Sequence, residues 1–146
     1  MLSNTCKYGI RAIVYIAGKS NNGEKIGIKK ISKDLDLPMP FLAKILQSLA
    51  KQKILVSLKG PNGGFALGKH PKDIHLEEVV KAIDGEDVFS KCVLHNYNCK
   101  STDHEKIACT LHGDYVETRQ QIEDLFKSKS VQNLVIAAKN SNDILI

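Results

Sequence analysis

The spacing of apolar residues predicts a chain built mainly of helices. In six segments apolar side chains recur every three or four residues, the period of one helix face. Gly23 interrupts the pattern after the first segment, and Pro40 suits the first turn of the third helix. The predicted helices span 4–19, 28–36, 40–52, 76–84, 111–127 and, with Ser130 as its N-cap, 130–139.

Between the third and fourth helices the pattern changes to two short strands. Residues 54–58 and 65–67 are separated by Gly60-Pro61-Asn62-Gly63-Gly64, in which the Asn-Gly pair predicts a tight hairpin turn. Gly85 follows the fourth helix, and we expect it to end that helix in the left-handed conformation. Residues 86–110 show no clean period.

This order of elements predicts a winged helix-turn-helix. The fold class is mainly α with a small two-stranded β wing, followed by a long C-terminal dimerisation helix. We divide the chain into a winged-helix domain at 1–85, a cysteine-containing sensor loop at 86–110, and a dimerisation helix with a C-terminal helix at 111–146. The helix after the tight turn can enter a DNA major groove, which is wide enough to admit it.

Composition excludes several classes of protein. With 146 residues, 42% hydrophobic and 25% charged, the chain is neither a disordered tail nor a collagen-like repeat nor a disulfide scaffold. We find no apolar run long enough to span a membrane and no secretory signal at the N-terminus, so we expect a cytoplasmic location. The nucleotide-binding and hydrolase motifs are absent as well, and we expect no enzyme activity.

The net charge of +5 is unevenly distributed along the chain. Residues 1–70 hold 12 basic and 3 acidic residues, a net +9, whereas residues 71–146 hold 9 basic and 13 acidic residues, a net −4. A basic first half suits a polyanion, because each lysine or arginine near a phosphate releases a condensed counterion. An unevenly solvated surface is the alternative interpretation.

The helix at 40–52 has a short or polar outer face, as a helix that enters a groove requires. Its predicted outer residues are Pro40, Ala43, Lys44, Gln47 and Ser48, with Lys51 and Lys53 near its end. Lys59 and three glycines form the wing tip, where backbone amides can approach a phosphate closely. Two alternatives remain open: a helical hairpin packed on a ribbon, and a winged-helix module that binds proteins, which would carry a neutral or acidic face.

Three cysteines and a histidine form a candidate metal site in the acidic half. Cys92, Cys99, Cys109 and His112 have the spacing C-x6-C-x9-C-x2-H, without a CxxC pair. Thiolates and imidazole suit zinc or an iron–sulfur centre, and the long gaps favour the iron–sulfur centre. His95 and His104 are competing ligands, and redox-active thiols without a metal are the alternative. Cys6, on an apolar helix face, is predicted to be a core residue.

The helix at 111–127 carries an apolar stripe that a small domain cannot cover fully. Its members are Leu111, Tyr115, Ile122, Leu125 and Phe126. A twin helix from a second subunit is a natural partner, with packing inside one chain as the alternative. A homodimer would place two recognition helices on the half-sites of palindromic double-stranded DNA.

The chain resembles the Rrf-two family of bacterial winged-helix transcriptional regulators, which includes an iron–sulfur cluster regulator, a nitric-oxide sensor and a regulator of cysteine metabolism. The resemblance extends to about residue 138. It rests most specifically on the wing motif G-P-x-G-G-[FY]-x-L, which Gly60–Leu67 fits fully. The matching segments are SNTCKYGIRAI, PFLAKILQSLAKQKILVSLKGPNGGFALGK, LEEVVKAIDGE, CVLHNYNC and CTLH.

The resemblance implies a homodimer, held by 111–127, that binds DNA through the recognition helix and the wing. It also implies an iron–sulfur cluster on Cys92, Cys99, Cys109 and His112, with [2Fe–2S] favoured over [4Fe–4S] and with zinc or no metal as the alternative. The nine-residue gap between Cys99 and Cys109 is longer than in cluster-binding relatives, and Ala43 replaces an acidic residue that helps the cluster regulator select its DNA sites.

Together these arguments predict a repressor gated by the cluster, with the following DNA contacts. Lys44, Gln47 and Ser48 would contact base edges, and Lys7, Tyr8, Lys51, Lys59 and the wing backbone would contact phosphate or sugar. The predicted DNA-binding set also includes Pro40 and the wing residues Gly60, Asn62, Gly63 and Gly64.

Overall fold

The computed structural model describes residues 2–20, 23–94 and 109–140. Within them the mainly α fold with a two-stranded antiparallel wing is confirmed. No helix in these ranges is long and apolar enough to cross a membrane. The elements are α1 (Asn4–Lys19), α2 (Ile28–Leu35), α3 (Met39–Lys51), β1 (Leu55–Leu58), β2 (Gly64–Leu67), a 3-10 turn (Pro71–Asp73), α4 (Leu76–Asp84), α5 (His112–Ser128) and α6 (Val131–Asn140).

Local interactions explain where α1 begins, where α2 ends and where α3 begins. The Ser3 hydroxyl accepts the backbone N–H of Cys6 at 3.0 Å and so caps the start of α1. Asp36 ends α2 in the left-handed conformation, with φ of 52°. The Leu37 N–H then donates to the Ser32 carbonyl, which closes the turn, and Pro40 lies in the first turn of α3.

The apolar faces of the helices meet in one main core. Ile13 of α1 and Leu42, Leu46 and Leu49 of α3 are almost fully buried in it, as their spacing predicts, and Ile16 of α1 is buried in it as well. Val131, the first residue of α6, is also fully buried there. The predicted 111–146 segment therefore contributes to the core of the predicted 1–85 domain.

The wing differs from the predicted tight Asn-Gly hairpin. Leu58 pairs with Gly64, so five residues connect the strands. The Gly63 N–H donates to the Gly60 carbonyl at 2.9 Å, which places Pro61 and Asn62 at the centre of the turn. Gly60 has a positive φ of 112°, whereas Asn62 does not have a positive φ. The predicted hairpin is confirmed, but Asn62-Gly63 is not its central pair, because Pro61 occupies the first central position of the turn, where its fixed negative φ is suited.

Close backbone contacts hold the wing in place. A Cβ added to Gly63 would lie 2.2 Å from the Leu58 carbonyl oxygen, and one added to Gly64 would lie 2.5 Å from the Ile26 carbonyl oxygen. Ile26 and Phe65 exchange two backbone hydrogen bonds of 2.9 Å each, a bridge that the sequence pattern did not predict. Two glycines of the motif are thus required by space, because backbone atoms already occupy the position of a side chain.

The later helices begin and end largely where the pattern predicts. Gly85 follows α4 with φ of 99° and ψ of 158°, a positive φ in an extended conformation rather than the expected left-handed helical one. Ser130 precedes α6 as predicted, and its hydroxyl accepts the Asn133 N–H at 3.3 Å while the Asn133 side chain accepts the Ser130 N–H at 2.8 Å. This reciprocal capping fixes the start of α6.

Candidate nucleic-acid interface and metal-binding segment

The outer face of α3 presents a row of exposed side chains. Pro40, Lys44, Gln47 and Lys51 are all exposed and lie three or four residues apart, on one face of the helix. Because the opposite face of α3 is buried in the core, this row faces solvent along the whole helix. A helix so presented has the polar, unobstructed surface that contact with a groove requires.

Ser48, predicted to share this face, is turned away from it. Its side chain is half-buried, and its hydroxyl donates to the carbonyl of Ala82 on α4 at 3.2 Å. Sequence spacing places Ser48 at the edge of the outer face, where only the position of the neighbouring α4 decides its direction. In this structure Ser48 holds α3 against α4.

The other predicted contacts lie on either side of α3. Lys59 and Asn62 are exposed at the wing tip, and Lys7 is exposed in α1. Tyr8 is half-buried, and its ring meets the ring of Phe41 edge to face, with centroids 5.7 Å apart. Tyr8 therefore packs against the first turn of α3 with its ring.

The ion pairs leave the lysines of this surface uncompensated. In the part of the chain that the structure describes, the lysine–carboxylate pairs involve Lys69, Lys81, Lys91 and Lys127. None of these lies on α1, α2, α3 or the wing tip. The lysines of α1, α2, α3 and the wing tip are thus available to a phosphate backbone.

Arg11 is the residue of this region that the sequence analysis missed. Its side chain is half-buried, one turn after Tyr8, and its guanidinium lies 5.9 Å from the centroid of the Tyr8 ring. The same guanidinium donates to the carbonyl of Leu35, the last residue of α2, at 3.4 Å. The i, i+3 spacing from Tyr8 was the available signal, since residues three apart share a helix face.

Two of the four predicted metal ligands lie side by side. The sulfur atoms of Cys92 and Cys109 are 3.8 Å apart, and Cys92 is buried while Cys109 is half-buried. Two sulfurs bound at about 2.3 Å to one tetrahedral metal are themselves separated by about 3.8 Å. The donor chemistry and the spacing of these two thiols therefore fit a shared metal or an iron–sulfur cluster.

The other two predicted ligands differ in what the structure describes of them. His112 begins α5, and its backbone N–H donates to the Cys109 carbonyl at 3.0 Å, so a single turn connects the two. Cys99 lies outside the described residues, as do the competing His95 and His104. Within the described ranges, no group of three or more metal-binding side chains is assembled.

The residues just before Cys92 pack against three helices, α1, α4 and α5. Phe89 is buried in a small apolar cluster with Cys6 of α1 and Val80 of α4. Its ring also lies 5.7 Å from that of Phe126 on α5. The buried Arg119 of α5 donates to the carbonyl of Ser90 at 3.5 Å. The residues before Cys92 thus contact α1, α4 and α5.

Cys6 is a core residue, as predicted. Its side chain has no exposed surface, and burial, followed by the nearby charge of Asp84, raises its pKa to about 12. A thiol with such a pKa is almost entirely protonated at neutral pH and is a poor nucleophile and metal ligand. Cys6 is therefore unsuited to the metal-binding or redox chemistry predicted for Cys92, Cys99 and Cys109.

The apolar stripe of α5 divides into two faces. Tyr115 and Phe126 are half-buried against their own chain, whereas Leu111, Ile122 and Leu125 are 37%, 40% and 53% exposed. The polar Arg119 and Glu123, which the sequence pattern did not place inside, are buried on this helix. We call Leu111, Ile122 and Leu125 the outer apolar face of α5.

Comparisons with known proteins agree on one family. The family model Rrf2, described as an iron-dependent transcriptional regulator, matches residues 2–137. The chain is 30% identical to an HTH-type transcriptional regulator of Aquifex aeolicus, over 92% of this chain and 91% of that protein. It is 25% identical to the HTH-type transcriptional regulator IscR of Photorhabdus laumondii, over 97% of this chain and 87% of that protein.

Solved structures show the same fold. CymR, the global cysteine regulator of B. subtilis, superimposes with a TM-score of 0.76 at 18% identity, over 94% of this chain and 98% of that one. IscR of T. potens gives a TM-score of 0.74 at 18% identity, over 100% of this chain and 93% of that one. With the family match spanning nearly the whole sequence, the chain belongs to the Rrf2 family of transcriptional regulators.

Proposed function

We propose that this chain is a homodimeric repressor that binds a palindromic DNA operator, and that an iron–sulfur cluster held by Cys92, Cys99, Cys109 and His112 controls that binding. The DNA-binding part of the proposal is carried by the exposed row on α3, whose lysines make no ion pair among the described residues. Pro40, Lys44, Gln47 and Lys51 would face the groove, with Lys44 and Gln47 reaching base edges.

The wing and α1 would hold the protein on the phosphate backbone. Lys59, Asn62 and the backbone of Gly60, Gly63 and Gly64 lie at the wing tip, and Lys7 and Tyr8 lie on α1. We leave Ser48 out of the base-reading set, because its hydroxyl is engaged with the Ala82 carbonyl.

The homodimer is supported by the outer apolar face of α5. A cavity of about 480 Å³ adjoins this face, lined by Leu2 and Val88 as well as by Tyr115, Ile122 and Phe126 of α5. A second copy would cover the outer apolar face of α5, which packing within one chain leaves exposed to water. Two copies related by a twofold axis would also present two recognition helices to half-sites about one helical turn apart.

The cluster is supported by the 3.8 Å approach of the Cys92 and Cys109 sulfurs and by the turn from Cys109 to His112. When bound, such a cluster supplies a redox-sensitive or nitric-oxide-sensitive centre. Phe89, three residues before Cys92, touches α1 and α5, so a change in the order of the 86–110 segment would reach both the DNA-binding domain and the dimer helix.

DNA binding is tested by fluorescence anisotropy with a duplex that the protein selects from a randomised pool. The logarithm of the affinity should fall linearly with the logarithm of salt concentration. An affinity that does not respond to salt would contradict the phosphate contacts.

The cofactor is tested by anaerobic purification with an absorption spectrum and an iron and zinc assay. A brown protein with charge-transfer bands supports the cluster, and Cys99→Ser should abolish the colour whereas Cys6→Ser should retain it. A colourless protein with stoichiometric zinc would reject the cluster in favour of a zinc site.

A thiol switch is the second candidate, and the same 3.8 Å distance favours it. Oxidation of Cys92 and Cys109 would form one sulfur–sulfur bond, with two protons released and two electrons passed to an oxidant such as a peroxide. A metal-free protein in which peroxide links these two cysteines and changes DNA affinity would support it.

A further inference from the structure

We infer that Arg11 is a positioning residue for operator recognition, acting through the arrangement of α2 and α3 rather than by touching DNA. This inference rests on the proposed DNA binding. The guanidinium donates to the Leu35 carbonyl, at the end of α2, at 3.4 Å, and it lies 5.9 Å from the centroid of the Tyr8 ring.

The contacts of Arg11 reach both sides of the turn between the two helices. Tyr8 meets Phe41, in the first turn of α3, edge to face at 5.7 Å. The half-buried Arg11 thus holds the end of α2 directly and the start of α3 through the ring of Tyr8. Helix α1 thereby fixes the angle at which the recognition helix leaves the turn.

Both contacts depend on the chemistry of arginine. A planar guanidinium can lie over an aromatic ring and at the same time donate in its own plane to a carbonyl oxygen at a helix end. A lysine ammonium keeps the charge but cannot make both contacts with the same geometry. Arg11→Lys therefore separates the shape of the side chain from its charge.

A positioning role and a direct phosphate contact predict different salt dependences. A residue that contacts phosphate contributes to the slope of affinity against salt and acts on every DNA sequence equally. A residue that sets the angle of α3 changes the fit to the correct base edges. It should therefore weaken operator binding without changing the slope or the affinity for unrelated DNA.

The test compares wild type, Arg11→Lys, Arg11→Gln and Lys19→Gln on the selected operator and on a scrambled duplex of the same composition. Lys19→Gln is the matched control, because it removes one exposed positive charge from the last turn of the same helix. Circular dichroism establishes that each variant is folded, and if Arg11→Gln does not fold, Arg11→Lys alone decides the result.

We expect both Arg11 variants to bind the operator about tenfold more weakly, with scrambled-duplex affinity, salt slope and Lys19→Gln unchanged. Equal losses on both duplexes with a reduced slope in Arg11→Gln would overturn the inference in favour of a phosphate contact. Wild-type affinity in both Arg11 variants would overturn it as well. If the wild type itself selects no sequence, the proposed function fails and this inference with it.

Discussion

The carboxylate of Asp84 at the end of α4 accepts two hydrogen bonds from Ser3, the residue that caps α1. The Ser3 backbone N–H donates at 2.9 Å and the Ser3 hydroxyl at 2.5 Å. Asp84 is followed by Gly85 and by the segment that leads to Cys92. One carboxylate therefore ties the start of α1 to the end of α4, two residues before the 86–110 segment begins.

Ser3→Ala should lower the free energy of unfolding by about 1–2 kcal/mol, because it removes both the cap of α1 and one donor to Asp84. Urea unfolding measures the difference. Ser128→Ala is the control, since that exposed hydroxyl donates only to the Leu125 carbonyl of its own helix in this structure. Equal decreases in the free energy of unfolding of the two variants would show that the Ser3–Asp84 contact does not stabilise the fold.

Lys51→Gln should reduce the slope of operator affinity against salt by about one for each lysine removed, because Lys51 is the exposed α3 lysine assigned to phosphate. The physical reason is that one fewer counterion is released at each recognition helix. Lys129→Gln makes the same change at an exposed position outside the proposed interface and should leave the slope unchanged. Anisotropy titrations at several salt concentrations measure the slopes, and identical slopes for the two variants would contradict the placement of Lys51 at a phosphate.

Gly63→Ala should distort the wing tip and weaken DNA binding by about tenfold or more, because its Cβ would lie 2.2 Å from the Leu58 carbonyl oxygen. Gly113→Ala is the matched control. No atom lies within 4 Å of its added Cβ, and an alanine in α5 should raise the free energy of unfolding by about 0.5–1 kcal/mol. Full DNA affinity in Gly63→Ala would exclude a role for the shape of the wing tip.

Ile122→Glu should convert the proposed dimer to monomers, because it places a charge in the apolar interface proposed for α5. Gln121→Glu introduces the same charge one position away, outside the outer apolar face of α5, and should remain dimeric. Sedimentation velocity distinguishes the two states. A dimer that survives Ile122→Glu would place the interface elsewhere.

Cys6 should resist alkylation at pH 8 in the folded protein, while accessible cysteines of the later segment react. Burial and Asp84 raise the pKa of Cys6 from 9.0 to about 12, so the reactive thiolate is scarce. The unfolded chain ionises this thiol above about pH 9 while the folded protein keeps it protonated. The contribution of Cys6 to the free energy of unfolding should therefore fall between pH 9 and pH 12.

Mass spectrometry of peptides after iodoacetamide treatment, with and without urea, measures the labelling. Rapid modification of Cys6 in the folded protein would contradict the structure. Urea titrations from pH 8 to pH 11 test the expected decrease in stability.

The helices could be predicted closely because their apolar spacing and their ends are local properties. Segments 4–19 and 76–84 coincide with α1 and α4, and Ser130 caps α6 as expected. What the spacing could not supply was the position of neighbouring elements. The spacing puts Ser48 at the edge of the polar face of α3, and only the position of α4 shows that its hydroxyl points to Ala82. The bridge between Ile26 and Phe65 likewise depends on how the chain folds between them.

The candidate interface could likewise be predicted only where it depends on one helix and not on neighbouring elements. The exposed row on α3 follows from the helical period, and so does the contact of Arg11 with Tyr8, but the contact of Arg11 with Leu35 is created only by the packing of α1 against α2. Likewise, the apolar residues of α5 form one stripe in sequence, and only the packing of α5 on its own chain divides Tyr115 and Phe126 from the outer apolar face of α5.

The tight backbone of the wing limits which positions of its loop can change during evolution. Side chains at Gly63 and Gly64 would collide with the Leu58 and Ile26 carbonyls, so these positions cannot vary without a change in the backbone. Lys59, Pro61 and Asn62 are exposed on the same loop and meet no such restriction from packing. Related proteins with this loop could therefore vary three side chains at the wing tip while the backbone that carries them stays unchanged.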